Sequence, residues 1–568
     1  MSDSRAREAL DKQTEMEAVR RPYEAAWEAV AEFCDPDAPS SFSGRFSGDQ
    51  STQTSRAQQR GSRVYDNTAI SAGNRLTAGV ESLIIPQSEK WHGLSTAAIN
   101  DEETDEEKEW AEDLRDFLFS LRYSANSNFV PGTQSCLRNV VFYGPAYLYA
   151  EEGFAGTLIR YASVPVHEAY IARNRWGIAD TFHRKYRRTA RQAAQLFGYE
   201  KLPPKIKMLV DDPDKCETKI TLLQSVRPRN ERRMYRIGNQ PSGYLDTEFV
   251  SHHVICDEEA IGKESGFRSF PVSCFNWRRY EDDTYGTSPM IDALTTIREI
   301  NAVRRTGLRL LQQMADPSTA SKAKLDVVPV LNPGQNYPGL VSDSGQPLIV
   351  PINTGANAAP AFEYAASRAE EIRDMLFVNL FQTLIQNPQM TATEALIRQE
   401  EKGQLLGPSG SIIQAGFAAN LDRELAILEA KGLYAEDSRY LPPESLAGKT
   451  VRPTFTSPLD ILRKAAESRD ADMVVNSAVQ VATASQDPSI MDNIDSDEYI
   501  RIKKDASRAP QRLLRSRDEV AALRDGRAKE KQAQQGLATL TQAGQLAKDA
   551  IPAAVQARDA GLIPAGNA

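Results

Sequence analysis

The string with the most enzyme-like chemistry is Ala447-Gly448-Lys449-Thr450, which ends as a phosphate-binding loop ends. Such a loop needs a glycine five residues before Gly448, so that its amides can bend around the phosphates. That position is Pro443, which has no amide to offer, and Val451-Arg452-Pro453 cannot open the helix that must follow. A nucleotide-driven motor or nuclease acting on DNA therefore has only Gly448-Lys449-Thr450 in its favour. His252, His253, Cys256 and Asp257 are metal-ligand types, but on a strand His253 and Cys256 point to opposite faces, and no second ligand cluster accompanies them. Asp282-Asp283 lies just before Tyr285-Gly286 and makes a turn. Neither a G-x-S-x-G elbow nor a dinucleotide fingerprint occurs. Five scattered cysteines without a C-x-x-C pair read as reduced thiols in a cytosol-like compartment. The residues offer no catalytic constellation, and no enzyme activity, cofactor or metal is expected.

Two polar stretches remain. Between Arg501 and Lys531 eleven Lys/Arg face five acids. This run is either a solvated helix face or a phosphate-facing surface, and it has no aromatics to stack on single-stranded bases. The other stretch is Met390 to Pro408. Thr391 stands three residues before Glu394, the spacing of a capping box. Gln386-Asn387-Pro388-Gln389 before it is turn-like, and Gly407-Pro408 after it must kink a continuing helix. Glu394, Arg398, Glu401 and Lys402 give the helix a charged face. A capped, hinged, charged helix sprung from a proline turn is a mechanical part rather than a catalytic pocket.

Helices and strands must hold these pieces. An apolar stripe over Met16, Val19, Tyr23, Trp27, Val30 and Phe33 predicts a first helix from Met16, kinked or begun at Pro22 and ended by Asp35-Pro36. Ser40 to Arg63 reads as a mobile loop. A second helix starts at Asn67-Thr68 and stops at Pro86, with Gly73 and Gly79 marking close packing. Trp91 to Leu94 reads as a short strand, and acids from Asp101 to Lys108 precede a helix with Trp110, Leu114 and Leu118 on one face. From Asn139 to about Tyr285 strands and turns dominate: Val140–Tyr149 is strand-like, Ala169–Lys185 a hairpin, Ala190–Phe197 a helix, and Ile220–Val226 and Phe249–Cys256 further strands. Ser288-Pro289 caps another helix, whose stripe steps by three and drifts, so different neighbours must cover its two ends. It stops at Asp316-Pro317. A Pro- and Gly-rich excursion follows, with strand candidates at Leu325–Leu331 and Leu348–Ile352, and helix resumes near Phe362. Beyond Pro408 the helix carries Phe417, Leu421, Leu425 and Leu428 and ends near Lys431-Gly432; helices resume at Ser457-Pro458.

At 568 residues the chain needs two to four domains. No run approaches the ~18 apolar residues of a membrane span, and the charged N-terminus is no secretory signal. The net charge of −9 argues against gripping duplex DNA over a broad basic face, though not against surrounding it.

Several segments, in this order, resemble the portal (head-to-tail connector) proteins of short-tailed bacteriophages. They are Arg21-Pro22-Tyr23-Glu24 with Trp27; Asp66-Asn67-Thr68 through Leu76–Val80 to Pro86-Gln87 and Trp91–Leu94; Tyr143-Gly144-Pro145-Ala146; Tyr285-Gly286-Thr287-Ser288-Pro289; Thr393-Glu394-Ala395 to Leu406-Gly407-Pro408; and Thr456-Ser457-Pro458-Leu459. The match spans about Arg20 to Leu462.

The resemblance implies a mixed α+β, predominantly helical chain with wing, stem, clip and crown. Residues 1–287 would be N-terminal helices and wing, 288–315 and 362–386 the stem helices, and 316–361 the clip. Residues 387–459 would hold the channel loop (Asn387, Pro388, Gln389, Met390, Thr391), the helix hinged at Gly407 and Pro408, and the return to the wing; 460–568 would be the crown. Glu394, Arg398, Glu401 and Lys402 would be channel or subunit-interface charges. The implied assembly is a ring, usually of about twelve subunits, at the capsid vertex. Double-stranded DNA would enter and leave through it without sequence recognition. Its implied partners are the terminase large subunit, the major capsid and scaffolding proteins, and tail adaptor or nozzle proteins, with no membrane. A tail adaptor or scaffold without a channel is the other non-enzymatic reading.

Overall fold

The computed structural model describes residues 4–36, 38, 61, 63–87, 89–96, 104–153, 156–229, 236–237, 240–241, 247–321, 336, 338–352, 357–379, 392–435, 437–446, 451–455, 458–485, 488–507, 513–515 and 519–535. At 236–237, 240–241, 392–407, 458–467, 488, 490 and 505 it describes the backbone alone. The chain falls into two compact units: Met1–Ser95, Asp113–Pro442 and Val451–Ala466 in one, Thr96–Glu112, Pro443–Thr450 and Glu467–Ala568 in the other. The fold is mixed α and β with helix predominating.

In the first unit, α1 (Ser4–Phe33) begins twelve residues before the expected Met16 and runs through Pro22. Its early turns carry few large apolar residues, yet Ala6 and Ala9 are fully buried, since small side chains let the helix lie flat on the sheet beneath. Helix α2 (Thr68–Ile84) ends before Pro86, as read. A Cβ on Gly73 would stand 2.6 Å from the Met290 methyl and 2.8 Å from the Phe142 ring. Strand β1 (His92–Ser95) follows, then α3 (Asp105–Arg122) and α4 (Phe129–Tyr143). The expected strand over Val140–Tyr149 is corrected here: Val140 to Tyr143 close a helix, and only β2 (Pro145–Glu152) is extended. Short apolar runs look alike in a buried helix and a buried strand. Gly144, at φ +100°, makes the reversal between them.

Strands β2, β3 (Ile159–Val164) and a later β9 (Val272–Asn276) form a three-stranded sheet in the order β9-β2-β3. A five-stranded antiparallel sheet has the order β8-β7-β6-β5-β4. Its strands are β4 (Ala169–Arg173), β5 (Ala179–Thr189), β6 (Lys219–Pro228), β7 (Phe249–Ile255) and β8 (Ala260–Phe267). Between β5 and β6 come α5 (Ala190–Phe197), opened by a Thr189/Gln192 capping box, and α6 (Pro204–Asp211). These two helices cover Tyr186, Leu222 and Ile255 on one sheet face, while α1 covers Leu223 and Val254 on the other.

Ser288 caps α7 (Pro289–Asp292), its Oγ accepting from Ile291 N at 3.0 Å. Helix α8 (Leu294–Ala315) continues after a break at Ala293. Beyond it, β10 (Thr319–Ser321) pairs antiparallel with β11 (Ile349–Pro351), and α9 (Ala359–Met375) returns along α8. The strand candidate at Leu325–Leu331 lies outside the described residues. The second of the paired helices stops at Met375, with Phe377 left-handed at φ +55°, and residues 380–386 of the expected stem lie outside the described residues.

Helix α10 (Ala392–Ala430) is 39 residues long and continuous through Pro408, about 58 Å at 1.5 Å per residue. Gly432, at φ +86°, ends it as Leu433 N bonds Leu428 O at 2.9 Å. Strand β12 (Arg452–Phe455) then pairs antiparallel with β1.

The second unit contains α11 (Pro458–Ser485) from Glu467 onward, α12 (Ser496–Ser507) and a helix over 519–535. Thr104 and Glu107 cap each other reciprocally, both bonds at 3.2 Å. Three cations of the basic run are spent internally: Arg501 meets Asp105, Lys503 meets Asp472, and Arg524 grips Asp497 with two bonds of 2.6 and 2.7 Å. Both sequence readings of this run gave its charges to solvent or phosphate; these three face carboxylates of their own unit.

Candidate functional site

Among the described residues no group of three His, Cys, Asp or Glu could hold a metal ion, and no helix is long and apolar enough to cross a membrane. His252 lies 3.7 Å from Glu264, His253 packs on the Phe197 ring, and Cys256 is already in the turn beyond β7. Gly448, Lys449 and Thr450 fall outside the described residues; a strand, β12, follows them where a nucleotide site would need a helix. Asp283 accepts the Tyr23 hydroxyl at 2.7 Å from its turn. Three parts of the structure bring segments distant in sequence together.

The first of these is a hub where segments far apart in sequence converge. Trp27 Nε1 donates to Tyr143 O at 2.9 Å, and the rings of Tyr23 and Trp27 stand 5.3 and 5.4 Å from Tyr285. Ser288 Oγ donates to Phe142 O at 2.9 Å while it caps α7. A Cβ on Gly144 would lie 2.9 Å from the Thr287 backbone. Arg20, fully buried, stacks on Tyr170 at 3.8 Å and donates to the carbonyls of Val166, His167 and Ala169. At the end of α1, Asp35 takes two bonds of 3.0 Å from Arg138 and one of 2.9 Å from the Tyr143 hydroxyl.

The second part is the attachment of α10. Its buried face runs through Ile413, Phe417, Leu421, Glu424, Ile427 and Leu428, so Glu424 occupies the stripe position expected for Leu425. Arg122 Nε and Nη2 donate to Glu424 at 3.0 and 2.6 Å, with both side chains essentially excluded from solvent. Tyr161 Oη and Asn420 Nδ2 complete the carboxylate's partners at 2.6 and 2.5 Å. Burial opposes the charge on Arg122, but Glu424 raises its pKa above the ordinary value. His92, pushed down to about 3 by burial and by Arg122, is neutral. Its Nδ1 faces Gly93 O at 3.1 Å, which leaves Nε2 to accept from Arg122 Nη1. Phe417 packs between Phe275 and Trp91, and a Cβ on Gly416 would stand 2.4 Å from the Phe275 ring. Arg423 donates to Ala150 O at 3.2 Å, and Lys431 meets Glu152 at 2.6 Å.

The other half of α10 holds the residues singled out from sequence. Glu394, Arg398, Glu401 and Lys402 lie on it at steps of four, three and one, one helix face. Gly407 and Pro408 lie within the helix; Asn387, Pro388, Gln389, Met390 and Thr391 lie outside the described residues. Sequence reading missed Arg122 and Glu424. The signal was present: Trp110, Leu114, Leu118 and Arg122 step by four, as Leu421, Glu424 and Leu428 step by three and four, so each charge interrupts an apolar stripe.

The third part is the pair α8 and α9. Phe362 lies over Gly307, 3.2 Å from where a Cβ would stand, and Tyr364 bonds Glu299, so the helices run antiparallel. Near the hub Ile297 and Ile300 are buried, but Leu308, Leu311 and Met314 are 42, 42 and 57% exposed. The drifting stripe is covered at one end only.

The profile of the bacteriophage head to tail connecting protein family matches residues 6–514. The chain belongs to this family. The connector is 24% identical over 537 residues to the probable portal protein of Bordetella phage BPP-1, covering 94% of this chain and 93% of the relative. It is 23% identical over 567 residues to the portal protein of Salmonella phage epsilon15, covering 96% of each. Among solved structures it is similar to a chain in the neck of an empty gene transfer agent particle, at 13% identity and a TM-score of 0.33, covering 77% of this chain and 90% of that one. The connector thus joins head to tail in a phage virion.

Proposed function

We propose that this chain is the portal subunit of its virion, a non-enzymatic conduit for double-stranded DNA during packaging and ejection. The observation that carries the reading is the end-to-end match to two proteins named as portal proteins. In this reading 288–315 and 362–386 are the stem, 316–361 the clip, 387–391 the channel loop, α10 the strut and 460–568 the crown, with 1–287 and the return through 459 forming the wing. Copies of the chain cover the exposed end of the α8 stripe. The clip meets the terminase large subunit during packaging and a tail adaptor afterwards, and the wing meets capsid and scaffolding proteins. A net charge of −9 per chain suits a channel, since every phosphate neutralised adds affinity and therefore drag.

Native mass measurement tests the ring. Twelve copies at 62.9 kDa give about 755 kDa, and images should show a central hole. A stable monomer under all conditions overturns the reading. Rings with a solid centre favour a scaffold. For the loop, cysteine placed at Gln389 should cross-link to DNA in filled particles; labelling at Pro408 but not at Gln389 would move the channel wall elsewhere.

A further inference from the structure

Two neighbouring rungs of the five-stranded sheet have opposite fates. His183, Ser225, His252 and Glu264 stand side by side on four strands and face α1, where Gln13 meets His183 at 3.1 Å and Arg5 meets Glu264 at 2.8 Å. The next rung, Arg184, Gln224, His253 and Lys263, faces the other side. There α5 and α6 cover the adjoining Tyr186, Leu222 and Ile255, and of the rung itself Phe197 of α5 reaches His253. The polar rung floors an open cleft of about 660 Å³, walled by Tyr149, Phe267 and the last turns of α10. Arg188, Arg268 and Arg423 also line it.

The lining holds five cations, with Arg184 and Lys263, against only two carboxylates, Glu151 and Glu152, an excess of three. Arg184 is already paired with Glu168 at 2.8 Å and Glu152 with Lys431, so the excess of three stands on Arg188, Lys263, Arg268 and Arg423 against Glu151, whose pKa burial raises despite the surrounding cations. His253, lowered to about 4 by burial and by Lys263, is neutral, and its buried Nδ1 has no hydrogen-bond partner among the described residues. Gln224 Nε2 is oriented by the Tyr149 hydroxyl at 3.2 Å.

We infer that this cleft binds a polyphosphate group, free or carried by a nucleoside triphosphate. One carboxylate would neutralise a third of the excess charge, whereas a triphosphate supplies three or more charges within one small ligand. Guanidinium forks match phosphate oxygens bidentately. The volume falls within the ordinary range of small-ligand sites, roughly 300–1,000 Å³. Tyr149 and Phe267 offer apolar walls to a base, and the bare polyphosphate reads the rung alone. Binding here requires no hydrolysis.

The test is titration calorimetry of the full-length protein in EDTA, with sodium tripolyphosphate in one arm and ATP in the other. The expected result is one site per chain in the tripolyphosphate arm, weakened at least tenfold in Arg188→Glu/Lys263→Glu and weakened by added NaCl. Lys263→Gln, at an exposed position, should weaken it about threefold and guards against a misfolded double variant. ATP binding more tightly than tripolyphosphate assigns the walls to the base; equal affinity assigns recognition to phosphate alone. Absence of binding at millimolar probe overturns the inference. So does an equal loss in Lys201→Glu, an exposed lysine outside the cleft.

Discussion

Arg122 and Glu424, 302 residues apart, form a two-pronged ion pair from which solvent is excluded. It ties the end of α3 to the anchored half of the 39-residue helix. Removing one member strands the other charge in the interior, at a cost of about 3–5 kcal/mol. Denaturant melts of Glu424→Gln and Arg122→Met should show that loss. Arg122→Met/Glu424→Leu should recover about half of it, because no net charge stays buried. A double variant as unstable as the singles would assign the effect to packing.

Four histidines are neutral, His92 and His183 buried and His167 and His253 half-buried. Burial pushes His92 and His183 down to about 3, and His167 and His253 to about 4. A depressed folded pKa means that the unfolded chain takes up protons first as pH falls. The stability from these groups is complete above the unfolded value of about 6.5 and is lost progressively down to pH 3–4. Between pH 6.5 and 5 each histidine should cost about 2 kcal/mol. Melting curves should fall across this window, and His183→Gln should flatten the slope.

Gly144 turns helix into strand at φ +100°, against the Thr287 backbone. Alanine there meets both an unfavourable conformation and main-chain atoms that cannot step aside. Gly144→Ala should cost about 1–3 kcal/mol, read by thermal melting. An unchanged melt would mean that the hub tolerates movement of Thr287.

Leu311 and Met314 continue the buried stripe of α8 into solvent. Leu311→Asp/Met314→Asp should leave the monomer's melting temperature within a few degrees and shift the assembly toward monomers in mass photometry. Rings formed at normal concentration would show that other surfaces hold the subunits together.

Local chemistry was strong enough to be read at several places. The Ser288-Pro289 start, the Ala190–Phe197 helix, the Ala169–Lys185 hairpin and the helix end near Lys431-Gly432 all depend on contacts a few residues apart. Periodicity alone left Val140–Tyr143 ambiguous, because a helix buried on most sides and a buried strand expose the same residue types. It also set the start of α1 too late, since alanines packed flat on a sheet carry no stripe of large side chains.

The sequence by itself determined the order of most elements, through capping residues, prolines and glycines whose effects are local, and the order of its segments resembled the connector family. Only the tertiary structure decided which side chains meet. Register placed Arg184, Gln224, His253 and Lys263 in one rung from four separate strands. Packing turned Arg122 and Glu424, two charges that interrupt apolar stripes, into one satisfied pair. A buried charge is tolerable only beside its partner, and the distance along the chain says nothing about where that partner lies.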